Sequence, residues 1–110
     1  MRKATVKMYS EIAGWLIEDE NGYHFEYSKE YLNDSKSKPI SLTLPLSQAK
    51  YTSHILFPFF DGLIPEGWLL DIAEKNWKLN SRDRMGLLLA CCKDCIGAVS
   101  VEDYLEEEKP

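Results

Sequence analysis

The feature that most constrains the fold is the pair Asn21-Gly22, preceded by Glu20 and flanked by stretches in which apolar and polar residues alternate. Asn and Gly tolerate the positive φ angles of a tight hairpin turn, so the pair joins two antiparallel strands. Before it, residues 4–9 place Val6 and Met8 on one face, and residues 12–17 form a second β-like run containing Trp15. After it, Tyr23, Phe25 and Tyr27 alternate as a third strand. The chain therefore opens as a β-meander.

Residues 29–39 are rich in Lys, Asn, Asp and Ser, which predicts an exposed loop. Ile40, Leu42 and Leu44 then alternate, which predicts a fourth strand ended by Pro45. Residues 48–53 show no period and are assigned no element. Residues 57–63 predict a short helix or turn. Pro65 suits a helix's first turn, and Glu66 beside it suits the positive end of the helix dipole. A helix is expected over residues 65–77, with Leu69, Leu70, Ile72, Ala73 and Trp77 as its apolar stripe. Asn80 or Ser81 is expected to cap a further helix that carries Asp83 in its first turn and is apolar on nearly every side from Met85 to Cys92, as suits the core. Gly97 precedes Ala98-Val99-Ser100-Val101, the last strand of the sheet, and an acidic tail occupies about residues 105–110. The fold class expected is α+β: one domain over residues 1–110, with a largely antiparallel sheet of about five strands packed against two to three helices.

Composition narrows the function. A net charge of −5 disfavours direct nucleic-acid binding, which needs clustered Lys and Arg to displace counterions. The densest basic group, Lys36, Lys38 and Lys50, reads as solvated loop charge. The N-terminus lacks the apolar run of a signal peptide, and no stretch approaches the ~20 residues of a membrane span. Cys91, Cys92 and Cys95 crowd into five positions with no distant cysteine to pair with, which suits a reducing, cytoplasmic location. Cys92 and Cys95 have the spacing of a metal pair, but His24 and His54 lie far away in sequence, so core packing is the expected role and neither metal nor disulfide is expected. Neither histidine has a nearby nucleophile with a third orienting group, so spacing proposes no triad; Gly62, Gly67, Gly86 and Gly97 are too scattered for a phosphate loop, and Asp61, Glu66 and Asp71 read as helix-end or surface charges. No catalytic residue and no cofactor is expected.

Three short blocks carry a resemblance. Phe59-Phe60-Asp61-Gly62-Leu63-Ile64-Pro65-Glu66-Gly67 resembles the FF-x-N-L-L-P-E-G signature of the HipA N-terminal domain family, with Gly62 where the family usually has Asn. Ser81-Arg82-Asp83-Arg84-Met85-Gly86-Leu87-Leu88 is similar to the family's acidic lead-in and Leu-Leu helix. Asp94-Cys95-Ile96-Gly97-Ala98-Val99 is similar to its D-C-x-G-A-V closure. In full-length HipA-like proteins this domain precedes a serine/threonine kinase core, and no kinase residue carries over here. The resemblance implies a free-standing module like HipS, the small subunit of split systems that also contain a shortened kinase and a HipB-like DNA-binding protein. It implies a non-catalytic, antitoxin-like subunit that binds the kinase and, through it, the DNA-binding protein, or else a module that stabilises their complex without inhibiting it. A small-ligand-binding protein is the further alternative. Glu66, Gly67 and Trp68 are the expected contact residues, because Trp68 follows the Pro65-Glu66-Gly67 turn, where a helix start can present an aromatic anchor outward; the alternative is that Trp68 is one more core aromatic.

Overall fold

Alternation along the opening segments produces a hydrogen-bonded meander in the computed structural model, which describes residues 2–64, 83–91 and 98–104. In chain order the elements are β1 (Arg2–Met8), β2 (Glu11–Asp19), β3 (Gly22–Tyr27), α1 (Lys29–Asn33), β4 (Tyr51–Ser53), α2 (Pro58–Asp61), α3 (Arg84–Cys91) and β5 (Val99–Asp103). The strands form one sheet in the order β4-β3-β2-β1-β5, and every neighbouring pair is antiparallel. This is the α+β architecture expected.

The turns follow local chemistry. Gly22 takes φ +125°, and the Asp19 carboxylate accepts the Asn21 N–H at 2.8 Å, so the Asn-Gly pair makes the hairpin between β2 and β3. The β1–β2 hairpin turns through Tyr9 and Ser10, both at positive φ, and the Tyr9 N–H is tied to the Ala98 carbonyl at 2.8 Å. A bulge between Val6 and Lys7 shifts the register, so that Val6 faces Gly14 and Lys7 faces Ile12. Gly14 has its own reason: a Cβ there would lie 2.2 Å from the Glu26 carbonyl oxygen, so β3 could not approach as closely.

Period-2 patterning puts Ala4 and Val6 of β1, Leu16 of β2, Phe25 and Tyr27 of β3, and Val99 and Val101 of β5 into the core. The helices cover them. Phe60 of α2 packs on Phe25 with ring centroids 5.6 Å apart, and Met85, Leu87 and Leu88 of α3 are fully buried. Each such side chain contributes about 1.5–3 kcal/mol through removal from water. Helix α3 is thus a core helix as expected, although Ala90 leaves one side exposed.

Three details correct the sequence reading. Residues 29–33 are helical rather than loop, because Ser28 caps α1 by accepting the Tyr31 N–H and Tyr31 supplies a buried anchor. Asp83 stands at the cap of α3 rather than in its first turn, its carboxylate accepting the Gly86 N–H at 3.1 Å. The third concerns residues 40–44, which form a pinned turn instead of a strand. Ile40 and Leu44 are buried while Leu42 is 97% exposed, and the hydroxyl of Tyr27 accepts the Ile40 N–H at 3.1 Å and donates to the Leu44 carbonyl. The backbone polar groups that a ladder would pair are satisfied by a side chain, and the sheet's edge strand comes later, from residues 51–53 of the stretch left unassigned. The helix predicted over residues 65–77, Cys92 and Cys95 lie outside the described residues.

Candidate functional site

The motif-bearing segments converge beside the first residues of the chain. Of the first block, Phe60 is fully buried among Phe25, Phe57 and Phe59, and Phe59 and Leu63 pack on the core from partly exposed positions. Asp61 closes α2 and accepts a hydrogen bond from Arg84 Nε at 2.6 Å, which joins the first block to the second. Gly62 sits at φ −68°, a conformation any residue adopts, so the departure from the family's usual Asn imposes no backbone demand. Of the third block, Ala98 holds the β1–β2 turn through its carbonyl. Pro65, Glu66, Gly67, Trp68, Asp94, Cys95 and Gly97 lie outside the described residues.

One contributor was not visible in the sequence. Arg2 of β1 grips Asp83 with both terminal guanidinium nitrogens, Nη1 to Oδ2 at 2.9 Å and Nη2 to Oδ1 at 2.6 Å, and donates from Nε to Glu18 of β2 at 2.6 Å. The hydrogen bonds to Asp83, more than those to Glu18, hold the guanidinium charged above its ordinary range, and the same contact keeps the Asp83 carboxyl below the usual carboxylate range. Gly86 makes this approach possible, since a Cβ there would lie 2.4 Å from Asp83 Oδ2. Arg2 is 81 positions from Asp83, so no local pattern could have signalled the pair. Residues 61 and 84 are thereby clasped at the two ends of the stretch that carries Pro65 to Trp68, and residue 83 is fastened to the sheet.

These groups are structural in kind. The His24 ring lies 3.0 Å from the Thr52 hydroxyl and 3.0 Å from an Asp19 carboxylate oxygen, bridging β3 to β4 and to the hairpin, while His54 is exposed. Among the described residues, no cluster of three or more His, Cys, Asp or Glu side chains could hold a metal ion, and no helix is long and apolar enough to cross a membrane. Two recesses open near α1. One of about 260 Å³ lies between Tyr9, Tyr31 and Lys36, and one of about 440 Å³ between Glu26, Leu32 and Gln48. Histidine and cysteine line neither of them.

The comparisons with known proteins agree with this arrangement. Residues 4–102 match the family described as the HipA N-terminal domain. A solved structure titled "N-terminal domain of HipA toxin" superposes with a TM-score of 0.75 at 31% identity, covering 96% of this chain and 95% of that one. An uncharacterized protein of Haemophilus influenzae is 34% identical over 103 residues, which span 94% of this chain and 93% of the relative. A Sinorhizobium fredii protein named "Putative kinase Y4mE" is 36% identical over 56 residues, 50% of this chain but 13% of that protein. By its motif blocks, their convergence in one α+β domain and a family match along nearly its whole length, the chain belongs to the HipA N-terminal domain family.

Proposed function

We propose that this protein is a non-catalytic regulatory subunit that binds a HipA-like serine/threonine kinase lacking its own N-terminal domain, and restrains it in the manner of an antitoxin. The observation that carries the reading is that related sequence occurs in two settings. In the kinase-named relative it is a small part of a much longer protein, and in the H. influenzae relative it is nearly the whole chain. A domain that works in cis in one protein can be supplied in trans in another, at the cost of a bimolecular association that needs its own anchor residues.

Glu66, Gly67 and Trp68 supply that anchor in this reading. The clasp of Asp61 with Arg84 at the two ends of their segment supports it, because an interface segment with fixed ends loses less freedom on binding. Through the kinase the complex would reach a HipB-like DNA-binding protein, with no direct nucleic-acid contact from this chain and no membrane contact. The test is co-expression with a HipA-like kinase from the same genome that lacks its own N-terminal domain. Relief of the kinase's toxicity and a fall in its phosphorylation support a regulatory subunit. A kinase made more soluble but equally active would reduce the role to stabilisation, and failure to bind would remove the proposal.

A further inference from the structure

We propose that the loop running from residue 35 to residue 50 is a second docking surface, which inserts Leu42 into an apolar socket rimmed by carboxylates on the partner kinase. The inference rests on the kinase-binding reading but uses different residues from Glu66, Gly67 and Trp68.

Exposure of one leucine would mean little, since folded proteins expose many apolar atoms. Here the exposed side chain stands on a tip whose backbone is fixed from several directions. Ile40 and Leu44 on either side of it are buried, and the Tyr27 hydroxyl bonds both the Ile40 N–H and the Leu44 carbonyl. Within the tip, the Ser41 hydroxyl accepts the Thr43 N–H at 3.2 Å, and the Leu44 N–H reaches the Ser41 carbonyl at 3.1 Å. The arms of the loop are held likewise: Tyr31 donates to the Lys38 carbonyl at 2.5 Å and Tyr51 to the Pro45 carbonyl at 2.6 Å. Three tyrosine hydroxyls thus fix a loop that presents Leu42 at 97% exposure, with Leu46 also partly exposed. Such an anchor has little backbone freedom left to lose on binding.

Charge names the partner. Residues 35–60 hold three lysines and no carboxylate, in a chain whose net charge is −5. Lys36, Lys38 and Lys50 are all exposed, and no carboxylate among the described residues forms an ion pair with them. Asp34 and Glu11 line one recess with Lys36 and Lys38 without forming an ion pair with either, Asp34 accepting the Lys36 backbone N–H at 2.9 Å. A rigid aliphatic tip on a loop whose only charged side chains are lysines fits an apolar pocket bordered by Asp and Glu. It fits nucleic acid poorly, because three lysines without an arginine release few counterions against an acidic body.

The test uses the full chain and the same kinase in a surface-binding assay at several salt concentrations. Leu42→Asp and Leu42→Ser should keep the wild-type melting temperature and weaken binding by ~10-fold or more, the effect of removing an interface anchor. Lys36→Glu combined with Lys38→Glu should slow association and flatten its dependence on salt. Ile55→Ala, which removes another exposed aliphatic side chain, should bind as wild type. If wild-type protein binds and both Leu42 variants bind equally well, this inference falls and the kinase reading survives. If wild-type protein fails to bind, both fall. Submicromolar binding of a duplex or single-stranded oligonucleotide that is lost with the lysine reversals would overturn the assignment of an acidic protein partner.

Discussion

Gly86→Ala should change the sign of its effect according to the residue at position 83. Within a helix, alanine is favoured over glycine by ~1 kcal/mol, so in isolation the substitution stabilises. In this fold the new Cβ would lie 2.4 Å from Asp83 Oδ2 and 3.4 Å from Arg2 Nη1. The carboxylate cannot retreat without giving up the Gly86 N–H at 3.1 Å and its paired bonds to Arg2 at 2.6 and 2.9 Å. Loss of the cap costs ~1 kcal/mol. The ion pair adds ~0.5–1 kcal/mol at most, because both side chains are more than a third exposed and solvent screens them. Against a helix gain of ~1 kcal/mol, displacement costing ~1.5–2 leaves Gly86→Ala destabilising by ~0.5–1 kcal/mol. In an Asp83→Ala background the obstruction is gone, and the same substitution should stabilise by up to ~1 kcal/mol. Urea unfolding of the wild type, both single variants and the double variant gives the coupling, expected at ~1.5–2 kcal/mol. Additive effects within ~0.5 kcal/mol would refute the argument that Gly86 exists to admit the Arg2–Asp83 pair.

Tyr27→Phe should destabilise by ~2 kcal/mol, since it leaves the Ile40 N–H and the Leu44 carbonyl buried without their partner, and urea unfolding with hydrogen exchange at Ile40 checks it. Burial pushes the Tyr27 hydroxyl up to about 12, so its contribution to stability holds below the ordinary tyrosine value and is lost as pH rises toward 12. An ultraviolet titration should find one fewer tyrosine ionising in that range in Tyr27→Phe than in the wild type. Because Arg2 holds Asp83 below the usual carboxylate range, that contribution is present above the unfolded value of ~3.9 and disappears as pH falls through the lower folded value. Asp83→Asn should therefore flatten the acid side of the stability profile measured by thermal melting. Phe60→Ala should cost ~3–5 kcal/mol, as for other fully buried aromatics, and leave a largely unfolded chain by circular dichroism at 37 °C. Trp68→Ala should weaken kinase binding by ~2 kcal/mol or more in calorimetry while the isolated domain keeps its stability.

The strands were legible where one face of the sheet is buried, since Val6, Phe25 and Val101 must then alternate with polar neighbours, while β2, with Leu16 between Trp15 and Ile17, was marked by its β-forming residues instead. The same signal misled at Ile40, Leu42 and Leu44, because a turn pinned through Tyr27 buries its first and last aliphatic residues and exposes the middle one in the pattern of a half-buried strand. β4, at three residues, is too short to show a period, and α1 depends on the Ser28 cap and Tyr31 rather than on an apolar stripe. The motif blocks pointed to the right family without disclosing what several of their residues do. Asp61 reads as a helix-end charge and is one, and Asp83, expected in the first turn of its helix, caps it instead; their partners Arg84 and Arg2 emerge from tertiary packing, which no spacing rule reports. Gly86 likewise needs an explanation in space, from the carboxylate it admits.

The central claim is that this domain acts on a kinase from outside the kinase's own chain. Calorimetric titration of the purified protein into a HipA-like kinase that lacks its own N-terminal domain, taken from the same genome, tests this most directly. The account predicts saturable one-to-one binding with a Kd of ~1 µM or tighter, as expected for an interface of standard size with a central anchor. Absence of binding at tens of micromolar of both proteins, each confirmed to be folded, would contradict it.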